Sequence, residues 1–230
     1  MDRSDILRVC ACCKGSPTIL LAQSMFCTQC FMLRLQKGFF GEIRKSLSHT
    51  PRHRVRKVLV VVEDTLASRA VEKLTRESKS SMVEYHYCSF TQGRPNCIYI
   101  DSIATNHSGR VEAAREYGFD NNYDCVLFSL YSVEVAYELL KMITAGEVAQ
   151  YTTAFKGDKI MSICYPFYSL SYKSVLYYCM LSGILDQPFS IKTEDSKTNR
   201  AHKALLRDLL KNSPASILNL IKIQQRVEDM

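Results

Sequence analysis

The chain has 230 residues, 47% of them hydrophobic and 23% charged, with only 9 glycines and 6 prolines. This composition is that of a folded protein and excludes a disordered chain, while the length allows one main domain beside a short module and excludes elaborate multidomain architectures. The net charge of +7 is modest, so its distribution along the chain is more informative than its size.

The first stretch of the chain, residues 1–15, is polar and carries cysteines, without the apolar core of a signal peptide. The longest apolar stretch, residues 175–185, is shorter than the roughly 20 residues that span a bilayer. We therefore expect a cytoplasmic protein that does not associate with a membrane. In that compartment cysteines stay reduced, so metal binding or burial explains them better than disulfides.

Two tight cysteine pairs lie near the N-terminus, Cys10 with Cys13 and Cys27 with Cys30, separated by thirteen residues. Each CxxC turn can place two thiolates on one metal ion, and a short strand at 18–22 would bring the pairs together. The spacing predicts a structural four-cysteine zinc ribbon with no open coordination position. Because so small a module has little apolar core, metal binding would supply on the order of 10 kcal/mol of its folding free energy. Iron is also accepted by thiolates, so the metal stays open between zinc and iron.

The remaining six cysteines do not have ligand spacing. Cys12 lies inside the first pair, at a position that the ligand spacing leaves outside the metal site. The other five are scattered through apolar surroundings and are interpreted as core residues: Cys88, Cys97, Cys125, Cys164 and Cys179.

A basic helix and linker follow the ribbon. Residues 31–47 carry apolar residues at helical spacing, and residues 48–57 lose that period. The basic residues of this region, set against Glu42 alone, carry a net charge equal to that of the whole chain. A stripe of this kind is typical of phosphate-backbone binding, although a solvated helix face has the same composition. The candidate nucleic-acid contacts are Arg34, Lys37, Arg44, Lys45, Arg52, Arg54, Arg56 and Lys57.

From residue 58 onwards the pattern alternates between strands and helices. Such alternation predicts a doubly wound α/β parallel sheet, and the uninterrupted apolar run at 58–62 suits a strand covered on both faces. The predicted strands are 58–62, 83–90, 97–101, 125–128 and 159–164. The predicted helices are 67–78, 109–117, 133–145, 171–181, 200–211 and 214–227.

The turn after the first strand is where such a sheet usually holds a phosphate, with glycine amides and a helix N-terminus. Here the turn contains Glu63, Asp64, Thr65 and Ser68 and has no glycine. The two carboxylates would repel a pyrophosphate, and the side chains would keep it from the backbone amides. The carboxylates either bind a divalent metal or cap the next helix, and we favour the cap.

These residues together resemble a known family. The Cys10 to Cys30 ribbon, the basic helix and the strand at 58–62 with its turn are similar to the cytosolic tRNA 2-thiolation protein 2 family, also called cytoplasmic thiouridylase subunit 2. Residues 123–140 resemble its second nucleotide-loop strand and helix, 165–184 its late proline-centred segment and 199–228 its C-terminal helices. Only the cysteine pattern is sharp, and the chain resembles a short, divergent member.

The resemblance implies an adenine-nucleotide-hydrolase-like (PP-loop-like) sheet with degenerate nucleotide loops. The SGG-type loop of the family is replaced by Glu63, Asp64, Thr65 and Ser68, of which only Ser68 matches, and the second loop by residues 129–131. It further implies a catalytically degenerate subunit that does not itself bind ATP. Such a subunit forms a heterodimer with a catalytic ATP-using thiolase, binds tRNA for 2-thiolation of wobble uridine, and depends indirectly on a ubiquitin-like sulfur-carrier protein.

The predicted domains are a zinc ribbon (1–33), a basic helix and linker (34–57), the PP-loop-like domain (58–198) and C-terminal helices (199–230). Two alternatives stay open. The first is an active adenylating tRNA-thiolation enzyme with a divergent ATP loop, in which Asp101 or Glu63 coordinates magnesium. The second is a zinc-ribbon nucleic-acid-binding protein that carries an α/β domain.

Overall fold

The computed structural model of the chain describes residues 9–21, 24–51, 53–102, 106–146, 161–186 and 197–212. Three sequence predictions lie outside these residues: the helix at 214–227, the basic residue Arg52, and residues 159–160 at the start of the last predicted strand. No helix in the described part of the chain is long and apolar enough to cross a membrane.

Strands and helices alternate along the described residues after an N-terminal hairpin. The strands are β1 (Ile19–Leu21), β2 (Ser24–Phe26), β3 (Arg56–Val61), β4 (Val83–Ser89), β5 (Ile98–Tyr99), β6 (Cys125–Leu127) and β7 (Ser162–Cys164). The α-helices are α1 (Thr28–Ser46), α2 (Leu66–Arg76), α3 (His107–Asp120), α4 (Ser132–Ala145), α5 (Tyr172–Leu181) and α6 (Lys197–Asn212), with a 3-10 turn at Ile184–Asp186.

Five strands form one parallel sheet in the order β5-β4-β3-β6-β7. The chain moves outward from β3 through β4 to β5 and then returns to β6 on the other side of β3. The strand order therefore reverses between β3 and β6, which is where open α/β sheets form their ligand crevice. The predicted doubly wound parallel sheet is confirmed.

Strand β3 is buried on both faces, as its continuous apolar sequence predicts. Val58 and Val60 face one core with α1, α2 and α5, whereas Leu59 and Val61 face a second core with α3, α4 and α6. All four side chains are at most 1% exposed. Alternation along one strand thus places a helical layer on each side of the sheet.

Helix α1 belongs to the first of these cores. Its buried residues recur at helical spacing, Phe31, Leu35, Phe39 and Ile43, and the Phe39 ring lies 5.2 Å from that of Phe167 after β7. The ribbon joins the same cluster through its buried apolar side chains. The predicted domain division stays a prediction, but α1 packs directly on the sheet domain.

Several element bounds differ from the sequence prediction. Helix α1 begins at Thr28 rather than 31, because Cys27 caps it. Helix α3 begins at His107 rather than 109, since the Asn106 side chain accepts a hydrogen bond from the Gly109 amide at 3.0 Å. Strand β2 was not predicted, because three residues carry no measurable period. Four of the five cysteines interpreted as core are buried, and Cys97 is half-buried.

Candidate metal centre and ligand cavity

The four ribbon cysteines come together in one cluster. The sulfurs of Cys10, Cys13, Cys27 and Cys30 all lie within 4.8 Å of one another, and the Cys13 and Cys27 sulfurs are 3.6 Å apart. Four thiolates bound tetrahedrally to one zinc ion at about 2.3 Å stand about 3.8 Å apart. Cys12 is exposed and outside the cluster, as predicted.

Two local structures hold these sulfurs in place. The first pair sits on a turn closed by hydrogen bonds from the Cys10 amide to Gly15 O (2.8 Å) and from the Lys14 amide to Cys10 O (3.0 Å). In the second pair Cys27 is the N-cap of α1, and its sulfur accepts a hydrogen bond from the Cys30 amide at 3.5 Å. The sulfur of Cys27 is therefore held at the N-terminus of α1. The β1–β2 hairpin joins the two turns.

The cluster shifts the pKa values of two of its thiols in opposite directions. Hydrogen bonds from the backbone amides of Cys13 and Cys27 lower the pKa of Cys10 to about 6. The neighbouring sulfurs of Cys27 and Cys13 raise the pKa of Cys30 above its usual value. Binding of a cation among these sulfurs would release the remaining protons, as expected for a thiolate metal site.

The donor set fits a single ion. In a four-iron cluster each cysteine binds a different iron, so the cysteine sulfurs surround a body of iron and sulfide and stand farther apart than four ligands of one ion. Separations within 4.8 Å match the single-ion arrangement. The four cysteines thus form a metal-binding group.

A second candidate site is a cavity of about 530 Å³ at the carboxyl ends of the strands. The loop after β3 forms one wall, residues after β4 and from α3 form the next, and the starts of α4 and α5 complete it. This is the position where the strand order reverses. A nucleotide would be expected here in a sheet of this type.

The residues of the first loop have different roles from those predicted. The cap of α2 is Thr65, whose hydroxyl accepts a hydrogen bond from the Ser68 amide at 3.1 Å, so the prediction that the carboxylates cap the helix is wrong. Ser68 is buried, and its hydroxyl oxygen accepts a hydrogen bond from the Glu63 backbone amide, with 2.8 Å between the nitrogen and the oxygen. Asp64 pairs with Arg69 at 3.2 Å.

Glu63 contacts helix α3 instead. Its carboxylate binds the Arg110 guanidinium on α3 at 2.9 Å, and the Arg110 guanidinium carbon lies 5.9 Å from the Phe90 ring centroid. The sequence alone did not predict the contact between Glu63 and Arg110, because the two residues are 47 positions apart and Arg110 belongs to no recognisable motif. Asp101, the other proposed magnesium ligand, is not among the described residues that line the cavity.

The second loop also contributes a carboxyl group to the cavity. Ser129 is buried, and Tyr131 precedes α4. The Glu134 carboxylate accepts a hydrogen bond from the Tyr131 amide at 3.1 Å. Burial raises the pKa of Glu134 to about 8, the Tyr131 amide opposes this rise, and the nearby Glu63 adds to it. Sequence reasoning missed Glu134, because Tyr131 is not a residue that signals a helix N-terminus.

The basic residues fall into two groups. Within α1 the side chains of Arg34, Lys37, Arg44 and Lys45 are exposed and, at 100° per residue, lie opposite the buried face. We call these four the α1 basic stripe. Lys45 also pairs with Glu42 at 2.7 Å, and the Arg34 guanidinium carbon lies 5.3 Å from the Phe26 ring centroid.

The linker residues have structural partners. Arg54 forms a paired contact with the buried carboxylate of Asp124, with one distance of 3.1 Å. The same carboxylate accepts the Lys57 amide at 2.8 Å, while the Lys57 side chain is exposed and Arg56 is half-buried. Asp124 therefore ties the linker to the start of β6, so Arg54 is the least suitable of the predicted contacts for binding phosphate.

No protein-family model matches the chain, and no curated protein matches it in sequence. Among the solved structures that match is the U34-tRNA thiolase NcsA from Methanococcus maripaludis, in a structure with its [4Fe-4S] cluster. The TM-score is 0.76, the sequence identity is 13%, and the match covers 96% of this chain and 87% of that chain. The chain thus has the fold of a tRNA thiolase, and the predicted PP-loop-like architecture is confirmed.

Proposed function

We propose that the chain is a non-catalytic, tRNA-binding scaffold subunit of a heterodimer that 2-thiolates wobble uridine in cytosolic tRNAs. Its partner is a catalytic, ATP-using thiolase subunit that receives sulfur from a ubiquitin-like carrier protein. The observation that carries the proposal is the cavity between β3 and β6, which has the expected place in a thiolase fold but the wrong lining for a nucleotide.

Two of the backbone amides that a phosphate would use are already bonded within the chain. The Ser68 amide donates to Thr65, and the Glu63 amide donates to Ser68. The carboxylates of Glu63 and Asp64 stand at the same helix N-terminus, where they would repel a polyphosphate. These contacts support a chain that leaves ATP to its partner.

The four-cysteine cluster supports zinc rather than an iron-sulfur cluster. Its sulfur separations suit one tetrahedral ion, and all four positions are filled by protein ligands, which is typical of a structural site. A structural ion would fix the β1–β2 hairpin against the start of α1. It would thereby orient the α1 basic stripe.

The α1 basic stripe supports tRNA binding. Its four cations share one exposed helix face, and the opposite face is fixed to the sheet by Phe39 and its neighbours. A row of cations on a rigid support matches the regular spacing of a phosphate backbone. Phosphate contacts of this kind position an RNA without reading its sequence.

The decisive experiment is co-expression of the full chain with the catalytic thiolase subunit, purification through a tag on this chain, and measurement of metal, ATP and 2-thiouridine. We expect a stoichiometric complex with one zinc ion on this chain, ATP bound only when the partner is present, and thiolation that requires both subunits. If the chain purifies alone, binds ATP and thiolates tRNA without the partner, the scaffold proposal is wrong and the active-enzyme alternative is correct.

A further inference from the structure

The guanidinium of Arg110, which lines the cavity between β3 and β6, is held by two neighbouring residues. Arg110 donates to the Glu63 carboxylate at 2.9 Å, and its guanidinium carbon lies 5.9 Å from the centre of the Phe90 ring. A guanidinium is therefore bound between a carboxylate and an aromatic ring. Both partners attract positive charge, the first through charge-assisted hydrogen bonds and the second through its ring quadrupole.

The starts of α4 and α5, which also line the cavity, carry a carboxyl group and two aromatic rings. Glu134 lies in the first turn of α4, and the rings of Tyr131 and Tyr172 next to it are 5.3 Å apart. The Glu134 carboxylate accepts the Tyr131 amide. Among the residues that the structure describes, no lysine, arginine or histidine forms an ion pair with Glu134. This wall thus offers a carboxylate and two aromatic rings to a cation from outside.

The cavity has room for such a ligand. Its volume of about 530 Å³ lies within the roughly 300–1,000 Å³ of pockets that enclose small molecules. Tyr172, which lines the cavity, is 47% exposed, so its ring is accessible from solvent.

We propose that this cavity binds an organic cation, an ammonium or guanidinium group, between Glu134 and the rings of Tyr131 and Tyr172. The group belongs either to a small molecule or to a basic side chain of a protein, since both present the same chemistry. This assignment goes beyond the proposed function and does not rest on it, because it concerns only the lining of the cavity. A site of this kind prefers a cation, whereas a nucleotide site prefers an anion.

The binding should depend on pH in a defined direction. Ionisation of Glu134 creates the negative charge that attracts the ligand, and burial raises its pKa to about 8. Affinity for a cation that stays protonated should therefore increase as the pH rises through about 8. The charged and titratable groups that line the cavity or lie near Glu134 on its own helix are Glu63, Asp64, Arg110, Tyr131, Glu138 and Tyr172.

The test is calorimetric titration of the full, metal-loaded chain at about pH 9, above the pKa of Glu134, with two matched probes, the benzamidinium cation and its neutral analogue benzamide. Nα-acetylarginine amide serves as a third probe that represents a protein side chain. The main variant is Glu134→Gln, which keeps an oxygen acceptor for the Tyr131 amide and so preserves the start of α4. Tyr172→Ala removes one ring, and Glu138→Gln is the control, since Glu138 pairs with Lys141 and does not line the cavity.

We expect saturable binding of benzamidine that is at least about tenfold tighter than that of benzamide and at least about tenfold weaker in Glu134→Gln. Glu138→Gln should bind like the unmodified chain. Tighter binding of the arginine derivative would identify a protein side chain as the ligand, and the reverse a small molecule. Equal binding of benzamide and benzamidine, unchanged binding by Glu134→Gln, or no saturation with either cationic probe would overturn the proposal.

Discussion

The four-cysteine ribbon and the cavity between β3 and β6 are two candidate ligand sites that differ in what their residues can bind. The ribbon has every ligand of a structural metal site within 4.8 Å. The cavity has the position of a nucleotide site and a volume of about 530 Å³, but carboxylates and tyrosines line it. The ribbon therefore has the ligands that its spacing predicts, whereas the cavity has the position of a nucleotide site without the residues that bind a nucleotide.

The difference teaches what holds each region together. The ribbon buries only a few apolar side chains, among them Ile19 and Phe26 in the first core, so a bound ion would supply much of its folding free energy. The cavity lies at the end of a sheet whose central strand is buried on both faces. The core contacts of that strand are apolar, so the polar residues that line the cavity can change while the sheet stays packed.

The largest effect should follow from Cys27→Ser, which removes one metal ligand and the thiolate that caps α1. Because metal binding contributes on the order of 10 kcal/mol in zinc modules, we expect bound metal to fall from one ion per chain to near none. Residues 9–27 should also become open to proteolysis while the sheet stays folded. Metal analysis and limited proteolysis measure both changes.

Cys12→Ser is the matched control for that experiment, since Cys12 is exposed and outside the cluster. It should keep its metal and its protease resistance. Full metal retention in Cys27→Ser, or equal loss in both variants, would contradict the assignment of the ligands.

A smaller effect is expected from Phe39→Ala, which tests whether α1 belongs to the sheet. Phe39 is fully buried and packs against Phe40 and Phe167. Loss of a buried phenylalanine costs about 3–5 kcal/mol, and we expect the free energy of unfolding in urea to fall by that amount in a single transition. Leu33→Ala, at a side chain that is 50% exposed, should change it little. A separate early transition for α1 would instead favour an independent ribbon and helix domain.

The parts of the structure that were predicted from sequence depend on local patterns. The four cysteines were found because their spacing is short and fixed, and β3 was found because an apolar run suits a strand buried on both faces. The helix starts at Thr28 and His107 were missed by three and two residues, respectively. Asparagine is a preferred N-cap residue, so the start of α3 could have been predicted, whereas cysteine is not a preferred N-cap residue.

The parts that were missed depend on tertiary contacts. Arg110 on α3 contacts Glu63 after β3 across 47 positions of the sequence. Arg54 contacts Asp124 across 70 positions. His107 shares a hydrogen bond of 2.9 Å with the hydroxyl of Tyr165 in the second core. Polar pairs of this kind carry no periodicity, so one sequence does not reveal them.

A third prediction concerns the cost of the altered lining of the cavity. The pKa of Glu134 is raised to about 8 in the folded chain, above its value in the unfolded chain. The unfolded chain therefore loses its proton first as the pH rises, and stability falls between about pH 4.5 and pH 8. Glu134→Gln cannot ionise, so it should be more stable than the unmodified chain by about 4 kcal/mol at pH 8.

The measurement is urea unfolding of both chains across this pH range. The stability advantage of Glu134→Gln should shrink towards zero as the pH falls to about 4.5, where both states of the unmodified chain are protonated. Glu138→Gln is again the control and should show no such convergence. A constant difference at every pH would mean that the pKa of Glu134 is the same in the folded and unfolded chains, which would contradict the prediction.

The smallest change in free energy is expected from charge reversal in the α1 basic stripe, although it bears directly on function. Lys37 and Arg44 are the best positions, because both are exposed and no ion pair with either is found in the described chain. Lys37→Glu combined with Arg44→Glu should weaken tRNA binding roughly tenfold and reduce the slope of log affinity against log salt by about 2, since each lost phosphate contact removes about one released counterion. Lys79→Glu with Arg207→Glu makes the same change in net charge at exposed positions elsewhere. If that control lowers the slope equally, tRNA responds to the total charge and not to the helix, and α1 would then serve to connect the metal centre to the sheet.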